Sequence, residues 1–105
     1  MPDGACRIDV WLWRARFFKT RALAAVAVES GRIRITRLDG SQARLDKASR
    51  AIRPGESLVF AHAGRLHMVR IAALGERRGP ATEARLLYEP LPTPEDEPLT
   101  NRPRA

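Results

Sequence analysis

Arg7, Arg14, Arg16, Lys19 and Arg21 fall within fifteen residues, with Trp11, Trp13, Phe17 and Phe18 interleaved among them. Cations on neighbouring elements can converge on phosphate oxygens, and arginine's planar fork grips them in bidentate fashion. The rings offer faces that could stack on an unpaired base, but their large apolar area makes burial in a core the default expectation. Of the 19 basic side chains only Lys19 and Lys47 are lysine; the rest are arginine. The formal net charge is +7, and residues 1–53 carry nearly all of it, with the segments 54–89 and 90–105 close to neutral. A solvated charged surface in an arginine-favouring genome is the bland alternative. The clustering in one half of the chain favours a polyanion, and nucleic acid above others.

Other chemistries lack their parts. There is no glycine-rich nucleotide loop, no nucleophile elbow and no histidine pair at metal-ligand spacing. His62 and His67 are five apart, which suits strand or surface positions better than a shared metal. Cys6 is the sole cysteine, so an intramolecular disulfide is excluded, and no base adjoins it to make a nucleophile. Asp9 is expected to cap a helix. No catalytic residue, no metal and no cofactor are therefore expected. At 105 residues and 44% hydrophobic content the chain suits one small domain. No apolar run approaches the roughly 18 residues of a membrane span, and Met1-Pro2-Asp3-Gly4 lacks the regions of a signal peptide. A cytoplasmic protein without membrane contact is expected, and a monomer.

The elements that must position these cations are legible in outline. A helix is expected over about 10–17, capped by Asp9 and stapled by Ile8 on Trp13. Thr20 should cap a second helix, ended by Gly31, with Leu23, Ala24, Ala27 and Val28 forming its core-facing stripe. That helix start would add free amides and a favourable dipole for a phosphate. Arg32 to Arg37 alternates with period two, Ile33 and Ile35 facing inward. Leu38-Asp39-Gly40-Ser41 is a turn, and 42–53 look polar and irregular. Strands are expected at 57–61 and 66–71, with turns at Pro54-Gly55 and Ala63-Gly64, then a short helix at 82–88. Residues 90–105, with five prolines, should form a disordered tail. The fold class is α+β, with two short N-terminal helices packed on a small, mainly antiparallel sheet and a short C-terminal helix.

The stretch from Arg7-Ile8-Asp9-Val10-Trp11-Leu12-Trp13-Arg14 through Lys19-Thr20-Arg21-Ala22-Leu23-Ala24 resembles the RNA-binding domain named after ribosomal small-subunit protein four. The following strand at Gly31-Arg32-Ile33-Arg34-Ile35, Lys47-Ala48-Ser49-Arg50 and the turn Pro54-Gly55-Glu56 are similar to later parts of that domain. Trp11-Leu12-Trp13, and the segment from Glu76 to Leu86-Leu87-Tyr88-Glu89, are most similar to its branch of small ribosome-associated heat-shock proteins of fifteen kilodaltons. Three features depart from the family pattern. Val10 stands where lysine is usual, 36–46 is longer than the usual turn, and a proline-rich end replaces a long basic extension.

The resemblance implies an N-terminal arm at 1–6, an RNA-binding domain at 7–60 and a sheet-completing segment at 61–89. It implies a non-catalytic, stress-related protein that grips ribosomal RNA on the large ribosomal subunit, with a nascent chain still on tRNA. The same cations would serve single-stranded RNA or DNA. The candidate RNA contacts are Arg7, Arg14, Arg16, Lys19, Thr20, Arg21, Arg32, Lys47, Ser49 and Arg50. Two rival functions share the fold or the charge: a targeting module for a separate RNA-modifying enzyme, and a general polyanion-binding, chaperone-like protein.

Overall fold

Backbone amides at a helix start must find acceptors, and in this chain a loop some forty residues away supplies them. In the computed structural model, which describes residues 4–93, helix α1 runs Ile8–Arg14 with Arg7 at its N-cap. The Ile8 amide donates to the Arg50 carbonyl (2.9 Å) and the Asp9 amide to that of Ala48 (3.3 Å). With those acceptors in place Asp9 is not the cap that was expected. It lies buried in the first turn, where its carboxylate accepts from Val10 N (2.8 Å) and from the Arg7 guanidinium (3.1 and 3.0 Å). The strand β1 (Cys6–Arg7) pairs antiparallel with β4 (Ala51–Ile52), clamping the same loop from the other side. Cys6 is thus part of the packed structure rather than of an arm.

Helix α1 ends with a left-handed turn made by a non-glycine residue. Arg16 has φ 65, its amide donates to the Trp13 carbonyl (3.1 Å), and the Phe17 amide reaches back to the Leu12 carbonyl (3.1 Å). This is a Schellman ending, and the apolar contact that accompanies such endings is the Phe17 ring beside Trp11, centroids 6.1 Å apart. The helix stops three residues short of the expected position because the chain reverses hand at Arg16. A brief link then leads to α2 (Arg21–Glu29), where the Thr20 hydroxyl oxygen accepts from Leu23 N (3.0 Å) as a cap should. Gly31, at φ 76, turns the chain out of the helix, with the Arg44 side chain 3.2 Å from where a Cβ would stand. Ala24 and Val28 face inward as the stripe predicted, but Leu23 is exposed.

The sheet has five strands in the order β3 (Gln42–Leu45), β2 (Ile33–Thr36), β5 (Ser57–His62), β6 (Arg65–Ile71) and β7 (Tyr88–Pro90), each neighbouring pair antiparallel. Strands β2 (Ile33–Thr36), β5 (Ser57–His62) and β6 (Arg65–Ile71) follow the sequence pattern, and Ile33, Ile35, Leu58 and Phe60 are buried. The Ala63-Gly64 turn has φ 53 and 76, the pair of positive values that a two-residue hairpin of matching twist requires. Three segments depart from expectation. Gln42–Leu45 is the edge strand β3, not irregular chain: only Leu45 is buried, so no alternation marked it. After a single turn of helix, α3 (Ala81–Ala84), and a 3-10 turn at Arg85–Leu87, the chain enters strand β7 (Tyr88–Pro90). The expected tail does not begin at 90, since Leu91 N donates to the Met68 carbonyl (2.7 Å) and Thr93 is buried. The rest of that tail lies outside the described residues.

The core lies between the helices and the sheet, centred on Trp11, Leu12, Ile33, Ile35, Leu58 and Phe60. Cys6 joins its edge, and burial pushes its thiol pKa up, against a smaller opposing pull from Arg14. A thiolate is the reactive form. Native protein at pH 8 is therefore expected to react with iodoacetamide at least about tenfold more slowly than urea-unfolded protein. Equal rates, followed by mass spectrometry, would contradict this packing of Cys6.

Candidate nucleic-acid interface

Arg16, Lys19 and Arg32 meet at one groove of about 700 Å³, joined there by Arg78. Each is delivered by a different local device. Arg16 is aimed by the left-handed α1 ending and held by its Nε donating to the Gly79 carbonyl (2.7 Å). Arg78 answers in the opposite direction: its Nε donates to the Trp13 carbonyl (3.1 Å) and its guanidinium lies 5.9 Å from the Trp13 ring centroid. These two bonds strap the 75–80 segment to the end of α1. Lys19 precedes the Thr20 cap, and Arg32 follows the Gly31 turn. The floor is apolar, formed by Phe17, Phe18, Leu23, Val26 and Ala27, with His62 beside them, and no Asp or Glu is among the lining residues described. A left-handed non-glycine residue costs on the order of 1–3 kcal/mol, and here the α1 ending fixes it and with it the direction of the Arg16 side chain.

Lys47, Ser49 and Arg50 line a second groove, of about 450 Å³, with Arg37, Ala51 and Arg53. Its wall is the loop whose carbonyls satisfy the start of α1, so the bonds that begin the helix also hold the backbone that carries these cations. Buried Glu56 organises the rim. Its Oε1 accepts from Arg53 N (2.7 Å) and its Oε2 from Arg37 Nη1 (3.2 Å), which also donates to the Ala51 carbonyl (3.2 Å). The two grooves have no lining residue in common.

The other candidates have different surroundings. Arg14 turns inward, its Nη1 donating to the carbonyls of Gly75 (2.9 Å) and Leu74 (3.4 Å), while its Nε is buried without a partner. It holds the 74–75 segment and is not part of an exposed cation cluster. Arg7 is bound by Asp9, whose hydrogen bonds and charge push its pKa up, so much of its field is already neutralised. Thr20 spends its hydroxyl oxygen on the helix cap, and Arg21 is exposed on the first turn of α2. Sequence reasoning missed Arg78, Arg37 and Arg53. Nothing in the local sequence Glu76-Arg77-Arg78-Gly79 signals that the chain returns to the end of α1 there. Among the described residues no group of three or more His, Cys, Asp or Glu could hold a metal, and no helix is long and apolar enough to cross a membrane.

Residues 6–35, which supply Arg16, Lys19 and Arg32, match the S4 domain. Heat shock protein 15 of Escherichia coli is 37% identical over 88 residues, covering 84% of this chain and 62% of that protein. The Aeromonas salmonicida homolog is 34% identical over 94 residues, with 85% of this chain and 67% of that protein covered. The solved structure of Vibrio cholerae heat shock protein 15 superposes with a TM-score of 0.71 at 32% identity, covering 83% of this chain and 82% of that one. The chain belongs to the heat shock protein 15 family. It spans less than two thirds of the Escherichia coli protein's length. The α+β fold inferred from sequence is the fold shared with the Vibrio cholerae member of the family. That protein is described as trimeric, in contrast to the monomer expected here. The 75–80 strap and β7 lie beyond the S4 match at residues 6–35, so Arg78, like His62, reaches the groove from outside the matched residues that supply most of its lining.

Proposed function

We propose that this chain is a non-catalytic RNA-binding protein that holds structured RNA by its phosphates. The observation that carries the reading is the groove where Arg16, Lys19, Arg32 and Arg78 converge with no Asp or Glu among the described residues that line it. Phosphate oxygens are the ligand such a site is suited to, and shape rather than base-edge readout would select the RNA fold. The second groove at Lys47, Ser49 and Arg50 extends the interface along the backbone. Membership of the heat shock protein 15 family supports a finer reading: the RNA is ribosomal, on large subunits carrying a nascent chain on tRNA, in the cytoplasm under heat stress.

The test is the salt dependence of RNA affinity. Lys19 and Arg32 are exposed, and their side chains make no hydrogen bond or ion pair among the described residues. Removing one cation that neutralises a phosphate should flatten the slope of log K against log salt by about 0.7–0.9. The double change Lys19→Gln and Arg32→Gln should flatten it by about 1.5 and leave the melting temperature almost unmoved, since solvated cations contribute little to stability. Arg65→Gln with Arg85→Gln removes the same charge at two exposed residues that line neither groove. Equal effects from the two pairs would show a response to net charge alone and defeat the site assignment.

A further inference from the structure

We propose that the groove between α2 and the Phe17–Phe18 link is a subsite for one unpaired nucleobase, whose flanking phosphates lie on the cationic rim. The proposal rests on the RNA-binding reading and adds to it what the apolar floor is for. Leu23 and Val26 are 52% and 64% exposed, and they stand one turn apart on α2. Both line the groove, together with Ala27 and the ring of His62. His62 is held by Phe18, ring centroids 4.2 Å apart, so a flat, partly exposed face is fixed in place beside two aliphatic side chains. Apolar side chains left in water within a concave site mark a binding surface more than scattered exposure does.

The charge around the floor selects the occupant. Arg16, Lys19, Arg32 and Arg78 share the groove, and no Asp or Glu is among the described residues that line it. A nucleotide joins a flat apolar face to an anion a few bonds away, which is the combination this surface complements. A second copy of this chain would bring the same cations, and a net charge of +7, against their own kind. The volume of about 700 Å³ lies inside the range of roughly 300–1,000 Å³ found for sites that enclose small ligands. Paired bases are stacked and cannot enter, so a bulge, loop or free end must supply the base.

The probes are two RNA hairpins of equal length, one fully paired and one with a single bulged 2-aminopurine, titrated with the full chain. The bulged hairpin is expected to bind at least about fivefold more tightly, the lower end of what a stacked base contributes, with a change in 2-aminopurine fluorescence. Leu23→Gln with Val26→Gln should abolish that preference, bringing the affinity for the bulged hairpin down to that for the paired one. Because both side chains are exposed, a melting curve should show the variant folded, and His62→Ala gives a second, independent loss of preference. A preference that survives both variants, or equal weakening on both hairpins, overturns the subsite. So does a variant whose only change is its sedimentation coefficient, which would make the patch a self-association surface. Failure of the wild type to bind either hairpin would instead overturn the RNA-binding reading on which the subsite depends.

Discussion

Trp11→Ala is expected to lower the melting temperature of the full chain by about 12 °C or more. Trp11 is wholly buried, and its indole Nε1 donates to the Ala73 carbonyl at 2.8 Å. Truncating a buried tryptophan typically costs about 3–5 kcal/mol, from lost transfer energy and the cavity left behind. For a domain of this size each kcal/mol moves the midpoint by about 4–8 °C. The loss is a large share of the roughly 5–15 kcal/mol that holds such a domain together. Trp11→Phe largely separates the two contributions, because it keeps most of the buried area while removing the donor to Ala73 and part of the ring. Its cost should be nearer to about 1–3 kcal/mol, that of a part-buried carbonyl left without its donor and a smaller ring. Thermal melts followed by circular dichroism check both, and a shift below about 4 °C for Trp11→Ala would contradict this packing.

Glu56→Ala is expected to cost about 2 kcal/mol, far more than removal of a surface acid. Glu56 is 3% exposed, yet its carboxylate reaches both the Arg53 amide and the Arg37 guanidinium. The change removes two charge-assisted bonds, each worth about 1.5–3 kcal/mol. Removing a buried charge returns part of that, because its desolvation cost disappears, and Arg37 is partly solvated. The comparison is Glu89→Ala, which breaks an ion pair with Arg70 whose partners are both more than half exposed. That change should cost less than about 1 kcal/mol. Urea unfolding measures the difference, and equal midpoints for the two variants would show that Glu56 does not organise the turn. Glu56→Ala should also loosen the rim of the second groove, since Arg37 and Arg53 both line it.

Much of the framework was legible because local chemistry and tertiary packing agree there. Ile33 and Ile35 alternate with Arg32 and Arg34 in a strand half in the core, so period two survives in the burial. Thr20 caps and Gly31 terminates α2 by bonds and dihedrals confined to a few residues. Strand β3 shows the opposite case. An edge strand with three exposed residues of four has no inner face to write a pattern, and only its pairing with β2 defines it. Leu23 belonged to the apolar stripe by spacing, but nothing in a helical wheel says how far the covering surface extends.

The α+β class, the two-helix start, the inner strands and the excess of arginine in the first half could all be read from the amino-acid order. Each of these depends on residue type and on neighbours within a few positions. Which cations are free to meet a ligand could not be read that way, because it depends on how distant segments pack. Arg14 and Arg16 are two residues apart at the same helix end, yet Arg14 is drawn inward by carbonyls some sixty residues further on. Arg16 is turned outward to a groove that Arg78 completes. Asp9 likewise gave up its cap to the carbonyls of Ala48 and Arg50. Hydrogen-bond donors take whatever acceptors the folded chain brings near, and those partners are set by three-dimensional proximity rather than by spacing along the chain.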